Sequence, residues 1–282
     1  MSTIAFVMTC KGRLHHIRQT LPRLLAQNPD EVILVDYGCP DKAGDWAEVN
    51  YPLVKLVRVT DDPEFCIARA RNMGGQVAQA DWLVFIDGDV LVEAGWLAWM
   101  RENLKPGSFY RAGLKGGVRD LETFGTVICA RTDFAATGGY DEAFRGWGGD
   151  DADFYARLQR RGVKQDHYPH SFVEAISHGD EERAGWGNMR ERKQSLTVHE
   201  CYKAAKAQME ILNGANQPLP LNLRKQIMSQ TSTALKKWYA EGASRPLAIP
   251  YVISRSGTSW LPRPLEMQTE LTFIVRVRHR QA

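Results

Sequence analysis

The chain has 282 residues, 44% of them hydrophobic, enough to bury one sizeable core and an appendage. Its 36 Lys and Arg nearly balance 33 Asp and Glu, and the formal net charge of +3 excludes the global basic field of a nucleic-acid binder while allowing a small, locally anionic ligand. Cys10, Cys39, Cys66, Cys129 and Cys201 are scattered with no CxxC pair, which argues against a zinc or redox motif and reads as the reduced thiols of a cytoplasmic protein. No apolar stretch approaches the roughly 20 residues of a membrane helix, and no basic segment precedes the first apolar run. The expectation is a cytosolic chain, peripheral to a membrane at most.

Ile4 to Met8 is a continuous apolar run ending in polar Thr9-Cys10-Lys11-Gly12-Arg13, the pattern of a strand buried on both faces. Leu14, Ile17, Leu21, Leu24 and Leu25 follow at helical spacing, with Pro22 expected to kink that helix or to mark its first turn. Glu31 to Val35 repeats the strand pattern before a turn-rich loop at Asp36 to Asp41, and Val54 to Val59 gives a third strand. Ile67, Ala70, Gly74, Val77 and Ala78 share a helical face, and Trp82 to Ile86 is a buried strand running into Asp87-Gly88-Asp89. This alternation predicts an α/β fold with a mostly parallel open sheet, in which ligands bind beyond the carboxyl ends of the strands; Thr9, Asp36 and Asp87 converge there. Phe124 to Ala130 reads as a further strand, and Asp151 to Arg161 as a helix with acids at its start and Gly162 as its stop. Beyond about residue 200 the pattern changes to two helices, Tyr202 to Leu212 and Leu223 to Trp238, and a terminal strand alternating Leu271, Phe273, Val275 and Val277.

Asp87-Gly88-Asp89 places two carboxylates around one glycine, a hard-oxygen set suited to Mn²⁺ or Mg²⁺ bridging a diphosphate. The bland reading is an Asp-rich turn capping the next helix. Gly148-Gly149-Asp150-Asp151 supplies two more acids in a loop that opens a helix; one suffices for N-capping and leaves the other to act as a base on a hydroxyl. Trp147 beside this loop is either a stacking platform for a sugar ring or an ordinary core tryptophan. His178, after the apolar run Phe172 to Ile176, completes a metal site or serves as a structural hydrogen-bonding residue.

These residues, in this order, resemble the GT-A glycosyltransferases over about residues 3 to 180, especially the animal-type galactosyl- and N-acetylgalactosaminyltransferases with a Trp-Gly-Gly-acid-Asp motif. The most specific part is Trp147-Gly148-Gly149-Asp150-Asp151 joined to Asp87-Gly88-Asp89 upstream. The resemblance implies a Rossmann-like catalytic domain over 1–199, with a donor-binding half to about 120 and an acceptor half after it, and a helical extension with a terminal strand over 200–282. It implies that Asp89, Asp87 and His178 serve the metal, Asp87 also holding ribose or a metal-bound water. Lys11, Arg13, Asp36 and Arg71, the last in an Ala-Arg-Asn segment, would serve the donor alongside Thr9. Asp151 would be the base of an inverting displacement, and Asp150 and Trp147 would bind the acceptor. The sequence departs from the family at Tyr37, in place of the second acid of the usual Val-Asp-Asp-Gly loop, at Asp150, where glutamate is usual, and at Ala175, in place of a methionine metal ligand.

The expected activity is therefore transfer of galactose, N-acetylgalactosamine or a related sugar from a UDP-sugar to the hydroxyl of a carbohydrate or glycoconjugate acceptor. Two rivals are a sugar-1-phosphate nucleotidyltransferase, which wants a Gly-rich basic loop where Thr9 to Arg13 has one glycine, and a non-catalytic nucleotide-sugar or carbohydrate-binding module. In the tail, Arg276, Arg278 and Arg280 would meet an anionic acceptor or membrane headgroups, or would keep an edge strand solvated.

Overall fold

The computed structural model describes residues 2–177, 189–212, 214, 218–257 and 265–277. His178, Arg278 and Arg280 lie outside the described residues. Two compact units emerge, 1–145 with 150–183, and 146–149 with 184–282.

The first unit is a three-layer α/β sandwich. Strands β1 (Ile4–Cys10), β2 (Glu31–Asp36), β3 (Lys55–Arg58) and β4 (Trp82–Asp87) run parallel in the order β3-β2-β1-β4. Beyond β4 come β7 (Val127–Ala130), antiparallel to it, then β6 (Ser108–Ala112), antiparallel to β7, and β8 (Lys164–Tyr168), parallel to β6. Alternation along β1 divides the core between the two sheet faces. Ile4, Phe6 and Met8 face α1 (Leu14–Leu25), α2 (Ala43–Asn50) and α4 (Trp96–Asn103), through Ile17, Leu21, Ala47, Trp96 and Met100. Ala5 and Val7 face α3 (Ile67–Val77), α5 (Arg131–Thr137) and α6 (Asp150–Arg160), through Ala70, Phe134, Phe154 and Leu158. A short ribbon of β5 (Val90–Val92) and β9 (Val173–Ala175) lies outside the main sheet.

Three expectations change. Pro22 sits inside α1, which continues past it to Leu25, so it does not mark the first turn. The strand expected from Phe124 begins only at Val127, because the Thr126 amide closes a turn onto the Thr123 carbonyl at 3.0 Å. The helix expected from Tyr202 begins at Met189.

The second unit contains that helix, α7 (Met189–Leu212), with α8 (Leu221–Ala240) and a hairpin of β10 (Leu247–Gly257) and β11 (Glu266–Val275). A boundary at 199/200 falls within α7. Helix α8 is tied to β10 by the Thr231 and Tyr251 hydroxyls at 2.7 Å and by Gln230 Nε2 donating to the Pro250 carbonyl at 2.8 Å. Along β11, Leu271, Phe273 and Val275 are half-buried between exposed neighbours, as their alternation predicts, whereas Val277 lies beyond the end of the strand and is exposed. Among the described residues no helix is long and apolar enough to cross a membrane.

Candidate active site at the carboxyl edge of the sheet

The parallel register sets Thr9 beside Asp87, and Cys10 beside Asp36, so the ends of β1, β2 and β4 form one edge. Thr9 is 6% exposed and Asp36 5%. Asp36 is engaged by its own loop: Oδ1 accepts from the Cys39 amide at 2.7 Å and Oδ2 from the Gly44 amide at 2.9 Å. Tyr37, in place of an acid, donates its hydroxyl to Asp62 Oδ2 at 2.7 Å, so a carboxylate still reaches this loop from the segment after β3. Lys11 Nζ donates to the Pro63 carbonyl at 2.9 Å and lies 5.5 Å from the Tyr37 ring centroid.

The centre of the site is Arg71. Helix α3 delivers its guanidinium, 1% exposed, to three carboxylates: Asp87 at 2.8 Å, Asp150 at 3.1 Å and Asp151 at 2.7 Å. The next residue fixes the surroundings, since Asn72 Nδ2 donates to the Tyr140 carbonyl at 2.9 Å and its Oδ1 accepts from the Tyr140 amide at 2.6 Å. The Tyr140 ring in turn lies 5.0 Å from the Arg71 guanidinium. One cation among three acids leaves a net negative centre.

Burial pushes the Asp151 carboxyl up to about 7; Arg71 opposes that rise, and Asp150 and Asp87 reinforce it. Asp87 is also raised, first by burial and against the pull of Arg71. Burial works against the charge on Arg71, but Asp151 and Asp87 outweigh it and hold the guanidinium protonated. Asp151 is the more accessible of the adjacent acids, its side chain 18% exposed against 6% for Asp150.

Glycine at two positions is required by this packing. A Cβ on Gly88 would stand 2.9 Å from the Ile17 side chain and 3.1 Å from the Thr9 carbonyl, so the turn between Asp87 and Asp89 presses onto β1 and α1. A Cβ on Gly125 would fall 2.6 Å from Arg71 Nη2 and 2.8 Å from Asp87 Oδ2. Sequence reasoning missed Gly125, which has no local motif. It also missed Arg111, although a charge inside the buried strand Ser108–Ala112 is a visible signal.

Asp89 pairs with Arg13 from the loop after β1. Among the described residues no three His, Cys, Asp or Glu side chains converge as a closed metal cage. Two carboxylates on one turn, within a net negative centre, fit a hard divalent cation that keeps waters and substrate phosphates as its other ligands. Trp147 belongs to the second unit, where its indole is 40% exposed and its carbonyl accepts from Ser195 Oγ at 3.4 Å. All five cysteines are free thiols.

Residues 5–109 match the family described as Glycosyl transferase family 2, and residues 110–179 match the N-terminal domain of galactosyltransferase. No curated protein matches the chain. Among solved structures, the catalytic domain of Drosophila beta1,4-galactosyltransferase 7 in complex with xylobiose superposes with TM-score 0.52 and 12% identity, over 96% of this chain and 94% of that one. A mutant of that enzyme was solved with manganese, UDP-Gal and xylobiose. The mannosyltransferase PcManGT from Pyrobaculum calidifontis, in complex with GDP-Man and Mn²⁺, gives 0.53 and 16% over 86% of this chain and 76% of that one. GalNAc-T7 with UDP, GalNAc and Mn²⁺ gives 0.54 and 16% over 86% and 56%. At such identities the likeness is one of fold, whereas the two family matches run end to end across the unit that carries the acids. The chain is a glycosyltransferase of GT-A fold, related to family 2.

Proposed function

We propose that the protein is an inverting, Mn²⁺- or Mg²⁺-dependent transferase that moves galactose, N-acetylgalactosamine or a close relative from a UDP-sugar to a carbohydrate hydroxyl. The observation that carries this reading is the convergence of Asp87, Asp150 and Asp151 on Arg71 at the sheet edge. The similar structures solved with Mn²⁺ and nucleotides or nucleotide sugars support it.

Asp87 and Asp89 are the residues to hold the cation, with His178 as the candidate third ligand. When bound, the ion neutralises charge on the departing diphosphate. Lys11 and Arg13 bring positive charge to the same edge for the phosphates, and Thr9 and Asp36 shape the loops that receive the nucleoside. Asp151 removes the proton from the acceptor hydroxyl as that oxygen attacks the anomeric carbon. A carboxylate titrating at about 7 suits this task, since it is substantially ionised at neutral pH and still basic enough to accept the proton. Arg71 acts through the acids, aiming Asp151 and Asp87 and keeping them ionised against burial. Asp150 contributes to acceptor binding.

The test is UDP release from individual UDP-sugars in Mn²⁺, with and without EDTA. Release should depend on the metal, and Asp89→Ala should lose metal-dependent UDP binding while its melting temperature stays near the parent's. If Asp89→Ala bound UDP and Mn²⁺ as the parent does, the metal assignment would be refuted.

A further inference from the structure

Arg111 is a buried cation that the proposed reaction leaves unused. It lies in β6 with 6% exposure, its guanidinium packed against the rings of Phe124 at 4.0 Å and Tyr155 at 4.2 Å. Its Nε has no hydrogen-bond partner, and no carboxylate pairs with Arg111 among the described residues. Burial pushes its pKa down, yet arginine keeps its proton in proteins, so a positive charge is being held out of water without a carboxylate in direct contact. Asp151, one helical turn before Tyr155 on α6, attracts Arg111 without bonding to it.

The strand register puts a histidine beside it, and that histidine brings in a second cation. In β8 the residue paired with Arg111 is His167, whose Nε2 lies 3.4 Å from Arg119 Nη2 and 3.1 Å from Gln165 Nε2. Burial, and then Arg119, lower the pKa of His167, which favours the neutral ring, and because the Arg119 and Gln165 nitrogens can only donate, Nε2 is their acceptor. The nearby acids are otherwise engaged: Asp120 bonds His170 Nε2 at 3.0 Å, and Asp166 accepts from the His167 amide at 2.8 Å. Arg111 stands level with Val127 and hence with Phe85, two residues short of Asp87. At about 4.8 Å between strands and about 3.4 Å per residue along them, the backbone of Arg111 is about 12 Å and that of His167 about 16 Å from Asp87. That is the reach of a short saccharide.

We propose that Arg111 and Arg119, with His167 between them, form a subsite for a negatively charged group of the acceptor, a uronate carboxylate or a sugar phosphate, lying beyond the hydroxyl that Asp151 activates. A planar guanidinium held against two adjoining rings has already lost much of its side-chain freedom, which suits bidentate recognition of either anion. The inference rests on the transferase reading, and its test separates the two.

With the protein in UDP and Mn²⁺ at constant ionic strength, methyl β-glucuronide, glucose 6-phosphate and neutral methyl β-glucoside are titrated by calorimetry. At least one anionic sugar should bind about tenfold or more tightly than the neutral one, the stronger arm naming the source of the charge. Arg119→Gln should remove most of that preference; it is only partly buried, so the test survives even if Arg111→Gln fails to fold. A parallel UDP titration reports the donor site. Equal affinity for neutral and charged sugars, an unchanged preference in Arg119→Gln, or displacement of UDP by the charged sugars would each overturn the subsite. Failure of UDP to bind would overturn the donor reading, and the subsite's part in transfer with it.

Discussion

Replacing Arg71 with methionine keeps an unbranched chain of similar length and removes the one charge on which three carboxylates converge at 2.7 to 3.1 Å. Deleting one partner of a buried ion pair costs about 3–5 kcal/mol, because the remaining charges stay out of water uncompensated. For a protein of this size that corresponds to a fall in melting temperature on the order of 10 °C. The pH dependence follows from the direction of the shifts. Asp87 and Asp151 are already raised by burial against the pull of Arg71, so its removal raises them further above the unfolded value of about 3.9. A carboxyl whose folded pKa lies above its unfolded pKa binds more protons when folded, and stability therefore falls as pH rises between the two values. The deficit of Arg71→Met relative to the parent should be largest at pH 8 and shrink toward pH 5. Thermal melts of both proteins by far-UV circular dichroism at pH 5, 6.5 and 8 read this directly. Equal melting temperatures at pH 8, or a deficit that grows on acidification, would refute the picture of Arg71 as the counter-charge of the acid cluster.

Asp151→Asn retains size and capping ability but cannot take a proton, so turnover should fall about 100-fold or more with donor affinity little changed. In the parent, turnover should rise with pH through about 7 as Asp151 ionises, and this limb should vanish from the residual activity of the variant; a pH-rate profile of UDP release in the presence of acceptor checks both. Gly125→Ala puts a methyl 2.6 Å from Arg71 Nη2 and 2.8 Å from Asp87 Oδ2, and it should cost about 1–3 kcal/mol of stability while depressing metal-dependent UDP binding. Unchanged binding would mean that the Arg71 and Asp87 pair tolerates displacement.

Strands β1, β2 and β4 were legible because each is a continuous apolar run buried on both faces, a pattern that needs no knowledge of the partner. Strand β8, Lys-Gln-Asp-His-Tyr at the sheet edge, carries no such run, and pairing with β6 alone makes it a strand. Strand β10 was hidden for a related reason: Pro250 interrupts its pattern, and its pairing with β11 decides the matter. The start of α7 escaped notice because its first turns lack a regular apolar face.

The same division runs through the site. Local spacing alone marked Asp87 with Asp89 and Asp150 with Asp151, because each pair sits on one turn and its chemistry is written within a few residues. That Arg71 joins those pairs was not readable, since it stands 16 residues from Asp87 and 79 and 80 from Asp150 and Asp151. Nor was the need for Gly125 or the place of Arg111 beside His167. Such contacts are set by which strands become neighbours, a property of the closed sheet that the order of residues along the chain does not express locally.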